Sequence, residues 1–360
     1  MTSCIGAVGS EEVRNWLLDA PIQPEIGEHR GAVAGWLDES KRPAFVYGEA
    51  TGYYLTCGDF IARHDGSERL RRRLDAAAGW LHAVWQTAPP PTRHYLASAE
   101  PDWRNDVVFT FDCAMMLRGL NGFDTESARR TRRAIEAVLV SAVATDGTLR
   151  CYVPRAGNGV VVPERWSTTT GPFQLKTAAA TLSAPDLSTA LRASAETTAL
   201  RWLDWYPRNE PSGELHALLY HVEGLLLWGA QRRDWTRWRL AAELFAEVMA
   251  RQREDGDLPG TLGDDTSPSR SDVTAQALRI GSILAEGGFL TGDCVGRLPG
   301  LAEALQRYID ASGGVHFRRR NGAATQVNVW CAVFAYQALC LFERAGAGEK
   351  IDERILDVLA

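Results

Sequence analysis

The chain has 360 residues, 45% of them hydrophobic and 23% charged, with a formal net charge of −6. The apolar content is enough for a large core, and the acidic balance excludes the basic footprint of a nucleic-acid-binding protein. Seven cysteines with no C-x-x-C spacing argue against a disulfide framework or a structural zinc site.

Along the chain, Met1–Gly9 lacks the basic and apolar regions of a signal peptide. No window approaches the ~18 apolar residues of a transmembrane helix. A cytoplasmic protein with no membrane or nucleic-acid partner is the expectation. An amphipathic helix near Glu11–Leu18 comes first, then a turn in "RGAVAGWLD" from Arg30. A helix apolar nearly all round follows, Ala50–His64, and after it the amphipathic Glu68–Trp85. The same alternation continues with apolar Val107–Leu120 and amphipathic Thr125–Ala142, then apolar Gly171–Leu182 and amphipathic Pro185–Trp205. It runs on through apolar Gly213–Gly229 and amphipathic Trp235–Arg251, then apolar Ser271–Leu284 and amphipathic Leu298–Ile309, and ends on apolar Ala324–Phe342. Asp124 with Thr125 and Pro185 with Asp186 read as helix starts. Glycine turns recur in "TDGTLRCYV", "EDGDLPGTL" and "SGGVHFRRR", with Gly147, Gly256 and Gly314 supplying the permissive backbone. The arginine runs at Arg71–Arg73 and Arg318–Arg320 read as solvated faces.

A helix with no polar face is a buried helix, and one with a single apolar stripe lies outside it. Six buried helices alternating with amphipathic ones at intervals of about 40–65 residues predict an all-α, (α/α)6 toroid, with residues 1–360 as one domain. The helix near Glu11–Leu18, or a C-terminal one near Asp352, closes the ring. A stacked solenoid would require shorter, more regular repeats.

Three segments carry a family resemblance. "YGEATGYY" from Tyr47 resembles the "YPEITGY" signature of six-hairpin glycosidase-like toroids, with Gly48 in place of the proline. "FDCAMMLRGL" from Phe111 resembles their "FDTGQVLRGL" helix, and "HALLYHVEGLL" from His216 their "HTIAYTLRGLL" helix. The resemblance implies carbohydrate chemistry in a funnel at the N-terminal ends of the inner helices.

Candidate residues follow from position and chemistry. Asp112 stands among apolar neighbours, where a carboxylate must be paired, protonated or used. Arg118 and Arg104 are its potential structural partners, and a burial-raised pKa suits a general acid. Glu49 and Asp272 open inner helices as partner carboxylates or as caps. His216 and Tyr220 share a helix face four residues apart. Tyr47, Tyr53, Tyr54, His221 and Trp330 are candidate substrate contacts, and Arg118, Lys176 and Arg270 a candidate cationic wall for an anionic ligand. The spacing of His216 and His221 does not match a two-histidine zinc helix, and no nucleotide fingerprint occurs, so no metal and no cofactor are expected. The reading is a carbohydrate-active enzyme, a hydrolase of a small glycoside or oligosaccharide using Asp112 with Glu49 or Asp272. The alternatives are a sugar epimerase or isomerase using His216 or His221, a terpene-cyclase-like protein, which lacks its "D-x-D-D" motif here, and a non-catalytic glycan binder without a perturbed carboxylate.

Overall fold

The computed structural model describes residues 9–86, 88–96, 102–155, 161–206, 213–320, 323–350 and 353–360. Met1–Gly9, apart from Gly9, and the side chains of Arg319 and Arg320 lie outside this description. Twelve α-helices run in order: α1 (Ser10–Asp19), α2 (Gly48–Ala62), α3 (Glu68–Val84), α4 (Thr110–Gly119), α5 (Glu126–Ser141), α6 (Gln174–Leu182), α7 (Thr189–Leu203), α8 (Leu215–Arg232), α9 (Trp235–Met249), α10 (Ser271–Glu286), α11 (Gly292–Gln306) and α12 (Val329–Gly346). The even-numbered helices are buried along nearly their whole length. Each packs on the next, and α12 returns to α2, so they close an inner ring. The amphipathic odd-numbered helices back it, and α1 completes the circle by packing on α12.

Close helix approach explains the small residues of the inner ring. A Cβ on Gly119 would lie 2.5 Å from the Gly52 carbonyl oxygen, and one on Gly52 would lie 2.7 Å from the Met115 carbonyl. The backbones of α2 and α4 therefore touch directly. The recurrent turns have an equally local cause. Gly31, Gly147, Gly256 and Gly313 all have φ between +81° and +87°. Gly31, Gly256 and Gly313 also sit against the backbones of α3, α11 and α1, where a Cβ would come within 2.3 Å of a carbonyl oxygen. The left-handed residue of the last turn is thus Gly313, one before the Gly314 expected from sequence.

Hydroxyl caps start the outer helices. Ser67, Thr125 and Ser188 accept from the backbone N–H three residues on, at 3.3, 3.2 and 3.3 Å. Ser188 rather than Pro185 therefore begins α7. Helix α11 starts at Gly292 and runs through Pro299, whereas the sequence pattern begins it at Leu298. The proline frees the Val295 carbonyl of its intrahelical donor, at a residue that faces outward.

Short strands lead into four inner helices and pair with a neighbouring connection. Phe45–Tyr47 pairs with Arg93–Tyr95, Val107–Phe109 with Tyr152–Pro154, Gly213–Glu214 with Thr261–Leu262, and Val327–Asn328 with Trp36–Leu37. These ladders shorten α4 and α12 relative to their apolar runs. They also stitch adjacent hairpins at the N-terminal mouth of the ring. At the opposite end, residues 353–360 turn inward against α2 and α8. Gln337 donates to the Val358 carbonyl at 2.7 Å, and the Arg118 guanidinium donates to the Leu356 and Leu359 carbonyls, the latter at 3.2 Å.

Among the described residues, no helix is long and apolar enough to cross a membrane. Cys57, Cys113, Cys151, Cys294, Cys331 and Cys340 are free thiols.

Candidate active site

The mouth of the inner ring opens on a cavity of about 170 Å³, walled by residues at the starts of the six inner helices and by their rim strands and connections. Strand pairing places its first wall. Tyr47 stands opposite Arg93 in the ladder before α2. The Thr51 hydroxyl donates to the Tyr47 carbonyl at 2.9 Å, and the Asn105 amide clamps the Arg93 backbone at 2.9 and 3.0 Å. Glu49 follows in the first turn of α2, and Asp112 occupies the equivalent turn of α4.

Glu49 and Asp112 form a carboxyl pair. Burial raises the pKa of Asp112 well above the usual carboxylate range, and the Glu49 charge raises it further; the Tyr47 hydroxyl and the Arg93 guanidinium oppose this only in part. Burial also raises Glu49, while the hydroxyls of Tyr47 and Tyr53 and the charges of Lys176 and Arg93 pull it back. Both carboxyls are thus raised, Asp112 the more strongly. Arg118 and Arg104, the partners expected if Asp112 were structural, are engaged elsewhere. Arg118 binds the carbonyls at the chain's end and Arg104 pairs with Asp102.

The facing wall comes from α8 and α10. His216 Nδ1 lies 2.5 Å from Gln276 Oε1 and 3.6 Å from an Asp272 oxygen. Burial lowers its pKa to about 4, against the raising effect of Asp272, so the imidazole is neutral at physiological pH. With the Gln276 oxygen accepting from Nδ1–H, Nε2 is left as the basic nitrogen. Asp272 is itself fully buried, and Arg270 grips it with bonds of 3.0 and 2.6 Å. Burial opposes its ionisation, but the Arg270 charge, joined by that of His216 once the imidazole is protonated in acid, outweighs this and holds its pKa at about 2. Arg270 reaches the cavity while also bonding Glu214 at 3.2 Å.

Aromatic rings complete the lining. Trp166 packs edge-on to Phe173 and His216, with centroids 5.3 and 5.7 Å apart, and the Tyr220 ring lies 4.3 Å from that of His216. Trp330 stands across the cavity beside Trp36. Beneath the floor, the Tyr53 and Tyr220 hydroxyls join at 2.9 Å. Lys176 Nζ sits 4.4 Å from the Tyr220 centroid and 2.7 Å from Glu223. Burial lowers the pKa of Lys176 to about 8 although Glu223 supports its charge.

The structure thus brings together Tyr47, Glu49, Asp112, His216, Tyr220, Arg270 and Trp330 around one cavity. The other six sequence candidates lie outside its lining. Asp272 is the buried support of Arg270. Tyr53 and Lys176 lie under the floor, and Arg118 lies deeper, at the chain's end. Tyr54 donates to the Leu17 carbonyl at 3.2 Å on the outer side of α2. His221 turns toward the Pro172 carbonyl at 3.2 Å. The cationic wall is therefore Arg93, Arg104 and Arg270, with Lys176 and Arg118 outside it. Sequence reasoning did not place Arg93 or Trp166 in the site. Both come from connections, where no helical period marks which side chain faces inward.

Solved structures share this architecture. Cellobiose 2-epimerase from Bacillus thermoamylovorans matches with a TM-score of 0.69 over 93% of this chain and 99% of its own, at 13% identity. An unsaturated glucuronyl hydrolase specific for heparin matches with a TM-score of 0.67 over 94% and 97%, at 10% identity. A sugar epimerase from a ruminal bacterium matches with a TM-score of 0.67 over 95% and 99%, at 11% identity. No family model and no curated protein matches the sequence. The chain shares the (α/α)6 toroid fold of these structures.

Proposed function

We propose that the protein is a carbohydrate-active enzyme, a hydrolase of a small glycoside, with Asp112 as general acid and Glu49 as its ionised partner. The observation that carries this reading is that Glu49 and Asp112 line one cavity at the mouth of the ring, with burial and the Glu49 charge raising Asp112 well above the usual carboxylate range. A neutral carboxylic acid donates to a leaving oxygen, while the adjacent carboxylate supports the developing oxocarbenium charge or activates water. Trp166, Tyr220 and Trp330 offer apolar faces for sugar C–H surfaces. A non-catalytic glycan binder has no need of such a pair.

Arg93 favours an anionic sugar. Its guanidinium lies 4.7 Å from the Phe45 centroid and 5.4 Å from that of Trp36. It has no hydrogen bond or ion pair of its own among the described residues, so it is available to a ligand carboxylate. A uronic acid should bind more tightly than its neutral parent sugar in calorimetry, with the gap narrowing as salt is raised. Equal affinities at all ionic strengths would remove the anionic preference.

A sugar epimerase is the second reading, favoured by the neutral His216 held as an Nε2 base by Gln276. Incubating the protein in deuterated water with glycosides and free aldoses separates the two. The hydrolase releases a reducing end. The epimerase alters configuration at a carbon that takes up deuterium. Neither outcome across neutral and acidic sugars would overturn both readings.

A further inference from the structure

Gln276, the partner of His216, is fully buried and has a second neighbour. Its Oε1 lies 2.5 Å from His216 Nδ1, and its Nε2 lies 3.5 Å from an oxygen of Glu223, the outer limit of a hydrogen bond. A carboxamide has one accepting and one donating end, and a half-turn exchanges them. Glu223 breaks that symmetry. It lies beneath the cavity floor, outside the lining, and is itself buried. Lys176 Nζ donates to its Oε2 at 2.7 Å, and Arg279 Nε donates to its Oε1 at 2.9 Å. Burial opposes its ionisation, but the Arg279 and Lys176 charges outweigh this and lower its pKa. Arg279 is held in its turn, with Nη1 donating to Gln337 Oε1 at 3.0 Å.

An ionised carboxylate only accepts, so it draws the NH2 end of Gln276 toward itself. The reversed amide would set two acceptor oxygens against each other in a dry interior, where such repulsion is least screened. The Gln276 oxygen therefore points at His216, and Nδ1 carries the proton. Asp272 favours the same form, but at 3.6 Å it is too far for a hydrogen bond, and Arg270 already engages both of its oxygens. Nε2, on the opposite edge of the ring, carries no protein hydrogen bond among the described residues, and the ring lines the cavity.

We propose that Glu223 is a positioning residue of the site: through Gln276 it fixes His216 in the Nδ1–H form and leaves Nε2 as the acceptor for a proton of the sugar. Glu223 touches neither the imidazole nor the substrate. The Nε2 lone pair takes the substrate proton, the bonding electrons stay on the sugar as an enolate or alkoxide, and Nε2 later returns the proton. Throughout, Nδ1–H stays on Gln276, with the Asp272 charge nearby to support the transient imidazolium. The tautomer stands whatever the reaction, whereas its use as a base rests on the epimerase reading above.

The test needs no turnover. Nitrogen-15 NMR of histidine-labelled protein at neutral pH, with His216 assigned by the signal lost in His216→Ala, should show it in the Nδ1–H form. The Gln276 amide protons should show Overhauser contacts to the Glu223 side chain and none to the imidazole. Gln276→Leu removes the acceptor, and Glu223→Gln supplies an NH2 group that can take the Gln276 oxygen. Each should raise the Nε2–H form to a population comparable with Nδ1–H. Glu223→Gln deprives Lys176 and Arg279 of their carboxylate; if it does not fold, the Overhauser contacts and Gln276→Leu decide. A wild-type His216 in the Nε2–H form, Gln276 amide protons lying against the imidazole, or folded variants that keep the wild-type tautomer, as they would if Asp272 held it, each overturn the proposal. An inactive protein with the expected spectra would sink the epimerase reading and uphold the assignment of Glu223.

Discussion

Asp112 and Asp272 both sit in the first turn of an inner helix, yet their surroundings drive them in opposite directions. Asp112 is raised because burial and the Glu49 charge outweigh what Tyr47 and Arg93 offer it, and Asp272 is lowered because Arg270 grips it directly. The pH dependence follows. Asp112 is raised above its ordinary value of 3.8, so above that pH the folded chain keeps a proton that the unfolded chain has released. Stability from this group therefore falls as pH rises toward the folded pKa. Asp112→Asn should flatten that slope, leave stability at neutral pH equal or higher, and cut turnover by about two to four orders of magnitude. Urea melts across pH alongside activity check both; a large fall in melting temperature with activity per folded molecule unchanged would make Asp112 structural. Asp272 is lowered to about 2, so its contribution is present above the ordinary carboxylate range and lost as pH drops toward 2. Asp272→Asn removes the buried partner of Arg270, leaving it only the half-exposed Glu214, and should cost up to roughly 3–5 kcal/mol at neutral pH, read from the same melts. Sequence marked Asp112 as the anomaly and offered Asp272 as a partner carboxylate or a cap, with Arg270 beside it. It did not foresee that Arg270 binds Asp272 directly, or that Arg93, from the connection before α4, is the cation nearest in effect to Asp112.

At the scale of elements, the apolar helices were legible because no other environment suits a helix without a polar face. Their starts were less so. Val107–Phe109 is as apolar as the helix it precedes, Val327–Asn328 runs into its helix without a break, and only pairing with Tyr152–Pro154 and Trp36–Leu37 makes them strands. The glycines of the inner ring were visible as small residues, but their purpose is the direct backbone contact of α2 with α4. Gly119→Ala places a methyl group 2.5 Å from the Gly52 carbonyl oxygen. The helices must part to admit it, at about 1–3 kcal/mol, despite alanine's better helix propensity. Because Glu49 and Asp112 lie on these two helices, parting them should also lower activity. Thermal unfolding and turnover together test this; a stabilised, fully active variant would show that the contact is not tight.

The whole molecule is a ring, and a ring must be closed. Six buried helices could be counted from the sequence, but whether the first or the last segment completed the outer layer stayed open, since both ends carry apolar residues. The structure uses them differently. Residues 353–360 fill the centre beneath the floor, with Ile355, Leu356 and Leu359 buried. The closing helix is α1, which packs on α12, and the Gly313 turn seats on its backbone at Glu12. Val13, Leu17 and Leu18 of α1 are at most 4% exposed. At about 1.5–3 kcal/mol for each buried aliphatic side chain, these three alone are worth roughly 5–9 kcal/mol, comparable with the ~5–15 kcal/mol that holds a typical domain together. Removing residues 1–20 should therefore abolish cooperative unfolding of the whole chain, rather than lower its midpoint by a few degrees. Circular dichroism would retain helical signal while the sharp thermal transition and any sugar binding disappear. A truncated chain that still melts in one cooperative step near the wild-type temperature would show that the inner ring stands without its closing helix.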